Sequence, residues 1–81
     1  MMETLISGFS ASQLFRSIHQ ENPLIDARKL AEIMMYEFPE ISPAAAISIY
    51  KWFNVKNAND FPDAQIDALI FHFLKEAGYT T

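Results

Sequence analysis

The stretch Ser42 to Asn54, SPAAAISIYKWFN, constrains the fold more than any other. Ser42 can accept a hydrogen bond at a helix start, and Pro43 suits the first helical position, where its missing N–H costs nothing. Ala44, Ala45 and Ala46 follow with the highest helix propensity. Ala46, Ile49, Tyr50 and Phe53 recur at the spacing of one helical face, yet Ile47 and Trp52 lie on opposite flanks of it. Only Ser48, Lys51 and Asn54 are clearly polar. A helix that is apolar nearly all round has to be covered on several sides. The expected fold is all-α: a compact bundle of four helices, at about 10–21, 26–38, 43–54 and 61–77, around the central apolar helix 43–54.

The other helices are marked by their ends. Ser10 with Gln13 forms a capping box, and Phe9 with Leu14 has the spacing of a hydrophobic staple. This helix should bury Leu14, Phe15 and Ile18 and stop near Glu21, because Asn22 precedes Pro23. Asp26 is the expected cap of the second helix, with Ile25 and Leu30 as staple. Its stripe is Ala27, Leu30, Ala31, Met34 and Phe38, and Pro39 ends it. The short link Pro39-Glu40-Ile41 makes helices two and three neighbours. Residues 55–59 read as a loop, after which Asp60 should cap the last helix. There Ile66, Leu69, Ile70, Phe73, Leu74 and Ala77 form the strongest stripe of the chain. Gly78 suits the position just past its end, with Tyr79 reaching back to Leu74. Residues 1–8 should fray or lie as an arm on the domain, and Thr80 and Thr81 should be loose.

Eighty-one residues make a single domain with a thin core. The absence of cysteine removes disulfides and thiolate metal ligands, so packing must supply the stability. With 51% hydrophobic and 14% aromatic residues, so small a domain should keep some apolar surface for a partner. The net charge is −4, and the six basic residues are scattered rather than clustered. That argues against nucleic acid, whose phosphates call for a basic patch. No apolar run reaches membrane-spanning length and Met-Met-Glu is no basic signal region, so a cytoplasmic protein with no membrane contact is expected.

Chemistry-bearing residues are few. His19 and His72 fall on different helices without metal-ligand spacing, so neither metal nor acid–base work is expected of them. Asp60, Asp63 and Asp67 approach one face at the start of the last helix, but the window lacks the glycine and glutamate of a calcium loop. They read as a solvated acidic face that could attract a basic partner. The chain has no cysteine nucleophile, no serine with an inferable base and no glycine-rich phosphate loop, so no catalytic or cofactor site is expected and the protein is read as non-enzymatic. Off the stripes lie Phe71, the pair Ile33 and Tyr36 one turn apart, and Trp52. These are candidate partner contacts, Trp52 being weighed more toward burial.

The expected function is a small acidic helical protein–protein interaction module, an adaptor or an inhibitor masking a basic surface. Self-association as a homodimer through the same patches is a natural extension. One alternative is a helix-turn-helix DNA binder built from helices two and three, with only Ser48, Lys51 and Asn54 as polar reach. Another rests on a resemblance. Glu37-Phe38-Pro39 and Phe73-Leu74 resemble the Phe-Pro and di-leucine contact motifs of CUE domains, over about fifty residues. Glu37 stands where that pattern has methionine, Phe-Leu replaces a leucine pair, and the loop at 54–60 is long. The resemblance implies a three-helix ubiquitin-binding bundle.

Overall fold

A short 3-10 turn at Glu3–Leu5 leads into four helices: α1 Ala11–Glu21, α2 Ala27–Glu37, α3 Pro43–Phe53 and α4 Asp63–Glu76. This computed structural model describes residues 2–57 and 59–80, among which no strand occurs. The expectations for Met1, for Ala58 in the loop and for Thr81 fall outside the described residues.

Local chemistry starts three helices as read. The Ser10 hydroxyl accepts from the Gln13 N–H, the Asp26 carboxylate from the Lys29 N–H at 3.1 Å, and the Ser42 hydroxyl from the Ala44 N–H at 3.2 Å. At the end of α4, Gly78 adopts φ +88°, and the N–H groups of Gly78 and Tyr79 donate to Lys75 and Leu74 carbonyls. That is the expected Schellman closure. The start of α4 differs from expectation. Pro62 is the cap, in extended conformation and without a side-chain bond, so the helix begins at Asp63 rather than 61. Asp60 lies too far back to cap, held in a turn by its N–H bond to the Asn57 carbonyl.

α2 packs along α3, and α4 packs on both α1 and α3. The core joins Phe15, Leu30, Met34, Ile49, Ile66, Ile70 and Leu74 with Met2 and Leu5 of the N-terminal turn. That turn is an arm laid on the domain: the Met2 N–H donates to the Glu37 carboxylate at 2.9 Å. The C-terminal side is pinned as well, where the Tyr79 hydroxyl accepts from the Glu40 N–H at 3.0 Å and the ring packs edge-on against Phe38. Thr80 is half-buried.

The central helix is not covered all round. Ala45, Ile49 and Trp52 are its buried residues, while Ile47 and Tyr50 stand more than half exposed. The inward face is therefore rotated from the expected Ala46-Ile49-Tyr50-Phe53. Burying Trp52 removes the larger ring from water, and its N–H reaches the half-exposed carboxylate of Asp63 at 3.2 Å. The smaller Tyr50 can keep its hydroxyl hydrated at the surface.

Candidate interaction surface

Of the three aspartates around the start of α4, Asp63 and Asp67 are engaged within the protein. Asp67, on α4, reaches the start of α1, where its carboxylate accepts the Ser12 N–H at 2.7 Å and the Ser10 hydroxyl at 2.9 Å. A negative group is favoured there by the unpaired N–H groups and the positive end of the helix dipole. Asp63 accepts two hydrogen bonds from the Arg16 guanidinium and one from the Trp52 indole N–H at 3.2 Å. Arg16 lies over the Trp52 ring, 5.2 Å from its centroid. The Arg16 hydrogen bonds hold the Asp63 carboxyl below its ordinary pKa, and Asp63 raises that of Arg16. Asp60 stands exposed and apart from both interactions. The acids thus form no shared free face, and no grouping of His, Asp and Glu among the described residues could hold a metal ion.

The apolar candidates separate just as clearly. Trp52 is 5% exposed and tilts against Phe15, so it is a core residue, though it also lines a hollow of about 370 Å³ with Arg16, His19, Phe53 and Asp63. Phe71, about half exposed, borders a hollow of about 240 Å³ between α4 and the N-terminal segment, opposite Leu5 and Phe9. Ile33 is half-buried and Tyr36 is 87% exposed. They line a shallow hollow on α2 of about 550 Å³ with Lys29, Glu32 and Glu37.

A further hollow, of about 380 Å³, lies between α2 and α3, lined by Arg28, Ala31, Ala46, Ile47, Tyr50 and Lys51. Sequence reasoning missed Ile47 and Tyr50 as surface residues, since both were assigned to the buried helix. Their exposure follows once Ala45, Ile49 and Trp52 define the inward face. The two α2 hollows are neighbours: Arg28 belongs to one, Lys29 and Glu32 to the other, and Glu32 pairs with both cations at 3.6 Å. Phe71 belongs to the separate hollow beside the N-terminal segment.

The Ser48 hydroxyl donates to the Ala44 carbonyl and the Asn54 amide to that of Tyr50, so two of the three polar side chains for base reading are turned onto their own helix. Of the residues that carry the resemblance to CUE domains, Phe38 and Leu74 are 4% and 1% exposed, Glu37 and Phe73 are half-buried and Pro39 is exposed. The Nδ1–H of His19 donates to the Ile25 carbonyl, and His72 pairs with Glu76 along α4. No helix among the described residues is long and apolar enough to cross a membrane. Compared with protein families, curated proteins and solved structures, the chain matches none.

Proposed function

We propose that this chain is a non-catalytic, cytosolic helical interaction module whose contact surface is the outer face of α2 and α3. The observation that carries the reading is the exposure of Tyr36, Ile47 and Tyr50 beside two adjoining apolar hollows. Aromatic and aliphatic side chains left in water around a concave surface are the usual anchors of protein contacts. The bonds of Asp63 to Arg16 and of Asp67 to the start of α1 support a contact elsewhere than the acidic helix start. A cytosolic setting agrees with the lack of any cysteine to exploit an oxidising compartment.

Photo-crosslinking residues placed at 36, 50 and 71 test this in cell extract. The expected result is a protein trapped from positions 36 and 50, competed by excess wild type and not by Tyr36→Asp. Trapping from position 71 alone would move the site to the hollow beside the N-terminal segment and overturn the reading.

A further inference from the structure

We propose that the hollow between α2 and α3 receives the apolar side chains of an acidic amphipathic segment from another protein. This rests on the interaction-module reading and adds the chemistry of the partner.

The charged side chains that line the hollow are of one sign, with Glu32 beside Arg28 just outside the lining. Arg28 and Lys51 line it and no carboxylate does. Lys51 makes no ion pair among the described residues and lies in the last turn of α3. Its methylene stem can lie along apolar surface while the ammonium stays in water. Among the described residues Arg28 is held only by Glu32, at 3.6 Å, with the two side chains 81% and 54% exposed. So open a pair contributes little and can be exchanged for a partner carboxylate. The small side chains of Ala31 and Ala46 leave room between the helices, and Ile47 and Tyr50 stand beside them. The arrangement has apolar walls and cationic rims, which complement apolar residues flanked by Asp or Glu. The chain as a whole carries −4, so this attraction is local. At physiological salt, charges beyond about 8 Å are largely screened and close pairs dominate.

The test pans a phage-displayed library of random peptides on wild type and, in parallel, on the Ile47→Gln/Tyr50→Gln variant, shown by circular dichroism to be folded. These substitutions remove the apolar walls without changing charge. Peptides selected by wild type alone should be rich in Asp and Glu beside paired apolar residues. They should perturb amide signals of Ala31, Ala46, Ile47 and Tyr50. Their affinity should fall roughly tenfold for Arg28→Glu or Lys51→Glu, as like-charge contacts replace opposite ones. Peptides that map to this hollow without acidic enrichment, or that bind the charge-reversed variants equally well, would overturn the acidic partner and leave the interaction reading standing. Binders that map to the Phe71 hollow, or no binders at all, would count against both. A wild-type dimer that the double variant dissociates, read by light scattering, would make the occupant a second copy and overturn the proposal of a foreign segment.

Discussion

Asp67 shows how one carboxylate can organise two helices. It sits on α4 but satisfies N-terminal donors of α1, including the backbone N–H of Ser12, a residue only 2% exposed. Asp67→Ala leaves that buried N–H and hydroxyl without their carboxylate partner. The expected cost is about 2 kcal/mol, read from urea unfolding. Asp60→Ala, at an exposed turn, should stay within about 0.5 kcal/mol of wild type. Asp63 provides a pH-dependent counterpart. Its folded pKa lies below the ordinary 3.8, so it binds protons less readily in the folded state than in the unfolded one. Its contribution is therefore present above about pH 4 and lost as pH falls through the lower, folded value. Asp63→Asn keeps an acceptor for the Trp52 N–H while removing the charge. It should cost up to about 1 kcal/mol at neutral pH, since Arg16 and Asp63 are about half exposed. Acid titrations followed by Trp52 fluorescence should also show a shallower loss of stability below pH 4 than in wild type.

At the scale of elements, legibility followed the range of the chemistry. Ser10, Asp26, Ser42 and the Gly78–Tyr79 closure were readable because each acts on backbone groups within a few residues. The stripe of α2 was readable in full because its polar residues fix the phase, and Ala27, Leu30, Ala31, Met34 and Phe38 are all buried. α3 has too few polar residues to fix a phase, so its inward face was set by tertiary packing around Trp52. The bonds of Asp67 to α1, of Tyr79 to Glu40 and of Met2 to Glu37 join residues 35 to 57 positions apart, which no local pattern reports. The closure of α4 gives a sharp test. A Cβ at Gly78 meets nothing within 4 Å, so Gly78→Ala is opposed by the positive φ alone. The expected cost is about 1 kcal/mol, a fall in Tm of roughly 4–8 °C for a domain of this size.

At the scale of the whole molecule, the apolar composition is divided between a thin core and an uncovered outer surface. The N-terminal arm supplies Met2 and Leu5 to that core, and the C-terminal Tyr79 covers Phe38. Neither covers Tyr36, Ile47 or Tyr50, which remain exposed. The apolar excess in the composition announced such a surface, but only the packed helices reveal where it lies. The central claim is that these outer residues of α2 and α3 serve contact rather than folding. Its most direct measurement is the unfolding free energy of the Ile47→Gln/Tyr50→Gln variant against wild type, by urea titration. Glutamine is a good helix former, and surface substitutions usually change stability by no more than about 0.5 kcal/mol each. The variant should therefore unfold within about 1 kcal/mol of wild type, with the same urea dependence. A loss of about 3 kcal/mol or more, the size of a core truncation, would contradict the account. Ile47 and Tyr50 would then belong to the folding core in solution, and no contact surface would remain between α2 and α3.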